Sequence, residues 1–147
     1  MADPAIDPRA VDPAQFAKSV ADTPEEQLAD GMRSEFRGQV LGEIFRRMEE
    51  HIDVDRTRDV AAVIHFRITG GPDGAVDHWE AVIERGTCTV TDQPSRPPRL
   101  TLTMDGVDFL KLVTGNASGP KLFMTGRLKI DGDLMFAART AGLFEIP

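Results

Sequence analysis

The sequence has a single cysteine, Cys88, among its 147 residues. One cysteine can form neither an intramolecular disulfide nor a multi-cysteine metal site, and this usage is typical of a reducing cytoplasm. Basic residues are outnumbered, with 17 lysines and arginines against 24 acids and a formal net charge of -7. Nucleic acids and anionic membranes are bound through clustered basic side chains, so neither is expected as a main partner.

Long apolar runs are absent as well. The longest are far shorter than the roughly 20 residues of a transmembrane helix, so we expect no stable membrane insertion. The first ten residues carry no basic start followed by an apolar core, so they do not predict a signal peptide. We expect residues 1–11 to be a flexible acidic tail and residues 12–147 to be a single cytoplasmic domain.

The sequence patterns of common catalytic sites are also missing. There is no Walker loop, no dinucleotide-binding glycine fingerprint and no His-Glu-x-x-His motif. The glycine-rich run from Gly70 to Gly74 joins two alternating segments and opens no helix, so it predicts a hairpin turn rather than a phosphate loop. We therefore expect a protein that is not an enzyme and holds no cofactor.

Helical periodicity dominates the first third of the chain. Pro13 can begin a short helix, and Thr23, Pro24 and Glu26 form the pattern of a second helix start with a capping box. Residues 33–51 then carry apolar side chains at helical spacing, with charged residues on the remaining surface. We expect that charged face to be solvated.

Four alternating segments follow and predict strands near residues 60–69, 75–85, 87–91 and 100–104. The first has its even positions on the core face, and the second has its odd positions there, including Trp79. In an antiparallel hairpin, one allowed register places His65 opposite His78, and the next places it opposite Glu80. We therefore expect His65 beside an acid or another imidazole, on the face away from the core.

His65, His78 and Glu80 are also the best candidates for a metal site. A cross-strand pair and its neighbour two residues along can converge on one face of a sheet. The chain supplies no fourth ligand at a suitable spacing. Exposed sheet faces often carry such side chains, so we expect no metal and interpret the three as surface residues.

The C-terminal stretch, residues 122–144, combines a strand pattern, a turn and an apolar helix. Polar and apolar residues alternate from Thr125 to Ile130, and Asp131-Gly132-Asp133 predicts a turn that ends in a helix cap. The following helix is apolar nearly all the way round. It must therefore be covered, either by ordinary core packing or, on one side, by an apolar ligand or partner.

One further helix is predicted after the fourth strand, where Asp105 can act as its N-cap. The predicted order is helices, an antiparallel meander, a helix, one more strand and a final helix. This order indicates an α+β domain.

Three segments together resemble the sterol carrier protein 2 family. They are Leu100-Thr-Leu-Thr-Met-Asp105, Asp108-Phe-Leu-Lys-Leu-Val113 with Gly115, and Lys121-Leu-Phe-Met-Thr-Gly-Arg-Leu-Lys-Ile-Asp-Gly-Asp133. The family pattern is a threonine-rich strand, a Phe-Leu-x-Leu helix, a glycine, and a Gly-x-Leu-x-Ile-x-Gly-Asp strand and turn before an apolar last helix. The resemblance covers residues 60–144 and, more loosely, 36–48.

The resemblance implies an SCP-2-like fold, with a five-stranded, largely antiparallel sheet covered on one face by helices. This chain adds N-terminal helices to that pattern. The resemblance also implies an apolar tunnel between the sheet and the helices. The residues that line it by resemblance are Trp79, Phe109, Leu112, Phe123, Met124, Leu128, Ile130, Met135 and Phe136.

These observations predict a non-enzymatic binder or carrier of an apolar small molecule, such as a fatty acyl chain, an acyl-CoA, a sterol or an isoprenoid. The alternative is an accessory module that docks a partner enzyme or forms a homodimer, with its cavity reduced or lost. An open apolar cavity beneath the last helix favours the first interpretation. Continuous packing there favours the second.

Overall fold

The structure is a computed structural model that describes residues 13–50, 52, 54–114 and 116–140. The helices are α1 Pro13–Asp22, α2 Glu25–Met32, α3 Phe36–Glu50, α4 Val54–Thr57, α5 Gly106–Val113, α6 Gly119–Met124 and α7 Leu134–Thr140. The strands are β1 Ala61–Thr69, β2 Asp77–Glu84, β3 Thr87–Thr91, β4 Leu100–Asp105 and β5 Lys129–Gly132. The predicted tail and the last seven residues lie outside the described part of the chain. No helix in the described ranges is long and apolar enough to cross a bilayer.

The five strands form one sheet in the order β3-β2-β1-β4-β5. Neighbouring strands are antiparallel, except that β1 and β4 are parallel. The prediction of a five-stranded, largely antiparallel sheet is confirmed. The predicted meander holds only for β1 to β3, because β4 pairs with the far side of β1 and the chain therefore crosses the sheet.

Strand alternation places the core on one face of the sheet, as the sequence predicts. Ile64, Phe66 and Ile68 of β1 are buried on that face. Helices cover it, since α3 packs against β3, α5 packs against β1 and β4, and α7 packs against β4 and β5.

Four aromatic rings fill the layer between the sheet and these helices. Phe45 of α3 stacks on Trp79 of β2, with 4.5 Å between ring centres, and on Phe109 of α5, with 5.2 Å. Phe66 of β1 meets Phe45 edge-on at 5.3 Å. Such pairs contribute about 0.5–1.5 kcal/mol beyond their area burial. We refer to these four rings as the aromatic stack.

The additional N-terminal helices pack on α5. Val20 of α1 and Met32 of α2 are buried in the core cluster. Glu25, at the start of α2, forms ion pairs with Lys111 at 3.5 Å and with Arg127 at 3.6 Å. These contacts hold α2 against α5 and against the turn that follows α6.

The start of α2 lies one residue later than predicted. Pro24 is its N-cap and makes no side-chain cap bond, so the expected capping box does not form. The Thr23 hydroxyl instead donates to the carbonyl oxygen of Ser19, at 2.5 Å. Thr23 therefore ends α1 rather than starting α2.

Arg37 on α3 is buried, although its face was expected to be solvated. Its Nε donates to Asp77 Oδ2 at 2.5 Å, and its Nη1 donates to the carbonyl oxygen of Met32 at 3.1 Å. Its Nη2 donates to the carbonyl oxygens of Ile68 at 2.6 Å and Thr69 at 3.2 Å. One guanidinium thus joins the end of α2, the end of β1 and the start of β2.

Two glycines leave room for the Arg37 side chain. A Cβ at Gly71 would lie 3.1 Å from the guanidinium carbon, and a Cβ at Gly106 would lie 3.1 Å from Nη1. Both distances are shorter than ordinary van der Waals contact between heavy atoms, which is about 3.5–4.0 Å. A Cβ would also lie 2.8 Å from the Ala75 carbonyl oxygen at Gly71 and 3.0 Å from Met32 Cγ at Gly106, so the guanidinium is one of several close neighbours that favour glycine here.

Two acids on the charged side of α3 also have structural partners. Glu43 is buried and accepts two hydrogen bonds from Arg46, at 2.5 and 2.8 Å. Glu49 Oε2 accepts from the backbone amide of Val90 in β3, at 2.8 Å. The prediction of a simply solvated face is therefore wrong at several of its positions.

The C-terminal stretch differs from its prediction in the first half. Residues 119–124 form α6, and residues 125–128 form a turn and bend. The strand begins only at Lys129, and Asp131 lies within it, opposite Thr101 of β4. The predicted turn role of Asp131 is therefore wrong.

Both predicted aspartate caps are confirmed. Asp105 Oδ1 accepts from the backbone amide of Asp108 at 2.7 Å and caps α5. Asp133 Oδ1 accepts from the backbone amide of Phe136 at 2.9 Å and caps α7. The rest of the predicted final helix, residues 141–144, lies outside the described residues.

Candidate functional site

Three hydrogen-bonded side chains lie on the face of the sheet opposite the core, here termed the outer face. His65 of β1 is directly opposite Glu80 of β2. His65 Nε2 is 3.0 Å from Glu80 Oε2, and His65 Nδ1 is 3.1 Å from His78 Nε2. The prediction that His65 lies beside an acid or an imidazole is confirmed, since it lies beside both. We refer to this chain of bonds as the Glu80–His65–His78 relay.

A segment that crosses the outer face covers most of the relay. Residues 92–99 connect β3 to β4, and Glu80 Oε2 accepts from the backbone amides of Ser95 at 3.1 Å and Arg96 at 2.9 Å. Glu80 is only 2% exposed and His65 only 8%, whereas His78 is exposed. The expectation of surface residues is therefore wrong for Glu80 and His65, because the crossing segment covers them.

The Glu80 carboxylate is held in its ionised form. Burial raises the pKa of Glu80, but hydrogen bonds from the Arg96 amide, His65 and the Ser95 amide outweigh burial and hold this pKa below its usual value. A carboxylate that accepts several donors is favoured in its charged state. The buried end of the relay, the Glu80 carboxylate, is therefore negatively charged.

The exposed end of the relay is held neutral. Burial lowers the pKa of His78, and the nearby charges of His65 and Arg67 lower it further against a smaller opposing effect of Glu80. The His65 nitrogen that faces the ionised Glu80 carboxylate, Nε2, is the donor in that bond, and an unprotonated His65 Nδ1 accepts from His78 Nε2. His78 Nδ1 then remains as a hydrogen-bond acceptor.

We expect the stability of the protein to fall in two pH windows because of this relay. The folded-state pKa of His78 is lowered from 6.5, so its contribution is complete above pH 6.5 and is lost as the pH falls through the lowered value. The folded-state pKa of Glu80 is lowered from 4.5, so its contribution is lost only below pH 4.5. Urea unfolding between pH 7.5 and 3.5, with NMR titration of the His78 ring, measures both. The Glu80→Gln variant should lack the lower window, and titration of His78 above pH 6.5 would contradict the assignment.

The described residues contain no group of three His, Cys, Asp or Glu side chains that could hold a metal ion. His65, His78 and Glu80 instead satisfy one another. Burial, and then the charge of Glu49, raise the pKa of the Cys88 thiol to about 12. At neutral pH that thiol is protonated, so it is a poor nucleophile and a poor metal ligand.

A pocket of about 350 Å³ lies at the start of β2, beside the end of the relay. β3 ends opposite Glu80, so the first residues of β2 have no strand beside them on that edge. The lining residues include Gly38, Leu41, Asp77, His78, Trp79 and Asp92. We refer to this opening as the β2-end pocket.

The β2-end pocket borders the aromatic stack at Trp79. Leu41 is fully buried, and Trp79 lines the pocket while stacking on Phe45. The rim is polar, with the relay's His78 beside two carboxylates. The surface that lines the opening is more polar than apolar, so the apolar part of this region is the adjoining aromatic stack rather than the pocket itself.

A second, more open pocket of about 400 Å³ lies under the crossing segment on the outer face. Its lining residues include Ala61, Val63, Val82, Glu84, Pro97 and Arg99. It contains none of the residues that the sequence predicts for a tunnel.

The nine residues of the predicted lining fall into three groups. Buried residues are Phe109, Leu128 and Phe136. Partly buried residues packed against the core are Trp79, Leu112 and Ile130. Exposed residues are Phe123, Met124 and Met135.

The structure brings only some of these residues together. Phe109 and Trp79 meet through Phe45, a residue that the sequence analysis placed on the apolar stripe of its helix without assigning it to the site. Phe136 lies elsewhere, beneath Arg99, whose guanidinium carbon is 4.2 Å from the ring centre. The position of Phe45 on the helical stripe was the only signal that could have identified it.

Comparison with known proteins gives consistent matches. The sequence profile of the SCP-2 sterol transfer family matches residues 41–145. Human sterol carrier protein 2 is 27% identical over 120 residues, which are 82% of this chain and 21% of that protein. Non-specific lipid-transfer protein-like 1 of Caenorhabditis elegans is 28% identical over 103 residues, which are 69% of this chain and 87% of that protein. The chain thus spans about a fifth of the human relative but most of the nematode one.

Among solved structures, the apo form of sterol carrier protein 2 from Yarrowia lipolytica shares the fold. Its TM-score is 0.57 at 24% identity, over 76% of this chain and 93% of that chain. The family profile covers well over half of the sequence, including the sheet and the helices that cover it. The chain therefore belongs to the SCP-2 sterol transfer family.

Proposed function

We propose that the protein binds an apolar lipid between its sheet and its helices, without catalysing a reaction on it. The observation that carries this proposal is the β2-end pocket, which is lined by Leu41 and Trp79 and lies beside the aromatic stack. Family membership supports it, since the relatives are named for sterol and lipid transfer. Fatty acyl chains, acyl-CoA, sterols and isoprenoids are the candidate ligands.

The aromatic stack occupies the layer in which the ligand would lie. Phe45 is fully buried and contacts the three other rings of the stack. A ligand must therefore displace these rings and replace their contacts with its own apolar surface. Burial of that surface contributes roughly 25 cal/mol per Å², before the cost of ordering the ligand and the rings.

The proposed lining combines the predicted residues with the pocket. It contains Trp79, Phe109, Leu112, Phe123, Met124, Leu128, Ile130, Met135 and Phe136, together with Leu41 and Phe45. Exposed methionines are well suited to cover an apolar guest, because the unbranched thioether adapts to irregular shapes.

The second candidate function is an accessory module that docks a partner protein. The filled layer between the sheet and the helices favours it, since Phe45 and its neighbours pack without a ligand. The two candidates differ in one respect that can be measured, namely whether a lipid enters beside Trp79.

Fluorescence of Trp79 tests the proposal directly, because it is the single tryptophan of the chain. We expect its emission to change when the delipidated protein is titrated with apolar lipids, and native mass spectrometry should show one bound lipid. Gly38 lines the pocket, and a Cβ there would have no atom within 4 Å, so the Gly38→Leu variant is designed to fill the opening. It should weaken lipid binding by at least about tenfold, or 1.4 kcal/mol.

The Gly42→Leu variant is the matched control. Gly42 lies on the same helix and also has open space, but the β2-end pocket does not include it. Both substitutions favour the helix, by about 0.5–1 kcal/mol, so neither should impair folding. Equal binding by the two variants, or no binding by the wild type, would favour the accessory module.

A further inference from the structure

The polar rim of the β2-end pocket consists mainly of hydrogen-bond acceptors. Asp77 and Asp92 contribute carboxylates, and His78 contributes an imidazole. We propose that this rim selects lipids whose headgroup donates a hydrogen bond, a hydroxyl or an ammonium, and rejects lipids with a carboxylate or phosphate. This inference rests on the proposed function, and it names the class of ligand that the site takes.

The hydrogen bonds of the relay orient the His78 imidazole as a hydrogen-bond acceptor. Its Nε2 is 3.1 Å from His65 Nδ1, and His65 is held in turn by the buried Glu80 carboxylate at 3.0 Å. The lowered pKa of His78 keeps its imidazole neutral near pH 7. A neutral imidazole that donates through Nε2 presents an unprotonated Nδ1, which can accept from a hydroxyl or an ammonium but not from a carboxylate.

The charge at the rim is negative. Arg37 compensates Asp77 through a bond of 2.5 Å, whereas no basic side chain of the described residues lies within ion-pair distance of Asp92. Arg67 is opposite His78 on the outer face and does not line the pocket. An anionic headgroup placed here would therefore lie close to an uncompensated like charge.

Two side chains among the lining residues carry an N–H donor, those of His78 and Trp79. His78 uses its N–H toward His65, so the uncharged indole Nε1 of Trp79 is the remaining donor. A carboxylate or phosphate needs several donors or a cation to replace its water, and one indole cannot supply them. A hydroxyl needs a single acceptor and an ammonium needs up to three, which matches the rim.

Three ligands with the same sixteen-carbon tail isolate the headgroup. Hexadecanol, hexadecylamine and palmitate are titrated below their aggregation limits into delipidated wild-type protein, with Trp79 emission as the signal. We expect hexadecanol and hexadecylamine to bind at least about tenfold more tightly than palmitate. Hexadecanol stands for sterols and isoprenols, and hexadecylamine stands for amine lipids.

Variants then assign the preference to the rim. The His78→Phe variant should weaken hexadecanol binding about fivefold, since one neutral hydrogen bond is lost. The Asp92→Lys variant should weaken hexadecylamine and strengthen palmitate by about tenfold each. Asp59→Lys, at an exposed residue before β1 and outside the pocket, carries the same charge change and should alter neither.

The outcomes separate this inference from the proposed function. Palmitate that binds as tightly as hexadecanol, with no response to Asp92→Lys, overturns the inference and leaves lipid binding intact. Failure of all three ligands to bind overturns the proposed function, and the inference with it. Amine binding that depends on Asp92 and alcohol binding that depends on His78 establish the selection.

Discussion

Replacing Arg37 with methionine is expected to lower the free energy of unfolding by about 3–5 kcal/mol. The guanidinium is almost fully buried and donates to one carboxylate and three carbonyl oxygens. Methionine fills much of the same volume, but it leaves the buried acceptors without donors. Urea unfolding monitored by circular dichroism measures the loss.

The Arg33→Met variant is the control for this prediction. Arg33 is exposed and pairs with Asp30 one turn away on α2, so its loss should cost at most about 1 kcal/mol. The Arg37→Lys variant should recover little, because one ammonium cannot reach acceptors on α2, β1 and β2 together. A difference of less than about 1 kcal/mol between the Arg37→Met and Arg33→Met variants would show that the buried bonds contribute little.

The Phe45→Ala variant should also lose about 3–5 kcal/mol of unfolding free energy. Phe45 is fully buried and contacts Phe66, Trp79 and Phe109, so its removal leaves a cavity in the middle of the layer. The same variant should bind lipid more tightly than the wild type, because the ligand no longer has to displace this ring. Urea unfolding with and without lipid, together with Trp79 emission, measures both effects.

A lipid at a hundred times its dissociation constant should restore about 2.7 kcal/mol to the Phe45→Ala variant. Phe36→Ala is the control, since Phe36 lies on the same helix outside the proposed lining, is 41% exposed, and should leave a far smaller void when truncated. A destabilised Phe45→Ala protein that gains nothing from lipid would place the ligand outside this layer. That result would favour the accessory module.

The pairing of β1 with β2, and with it the relay, could be predicted from the sequence. Alternation assigns each strand one core face, so only certain registers keep both core faces together. One of these places His65 opposite Glu80, and this is the register observed. Asp105 and Asp133 were also predictable, because helix capping depends on a few neighbouring residues.

The burial of Arg37 and Glu80 could not be predicted in the same way. The carbonyl acceptors of Arg37 on β1 are 31 and 32 residues away, and the amides that bind Glu80 are 15 and 16 residues away. Helical or strand periodicity reports only which face a residue occupies, not what later covers that face. The alternation of β4 is the same for a parallel and an antiparallel strand. The sequence pattern therefore does not indicate that β4 pairs in parallel with β1.

The C-terminal part of the site was predicted least well. Residues 125–130 alternate in polarity, yet their first four form a turn and bend, because Gly126 takes a φ of 78° and α6 ends just before it. Short alternation cannot distinguish a strand from a turn without its hydrogen-bond partners. Met124 and Met135, which the resemblance assigns to the lining, are both exposed.

The bond between Glu49 and the Val90 amide has a consequence for self-association. β3 is an outer strand of the sheet, and an outer strand with free N–H groups can act as a template for a strand of another molecule. Glu49 occupies the Val90 N–H and places a negative charge at that position. An incoming strand would find this donor occupied and would bring its own backbone carbonyl toward the carboxylate, which disfavours strand addition at this position of β3.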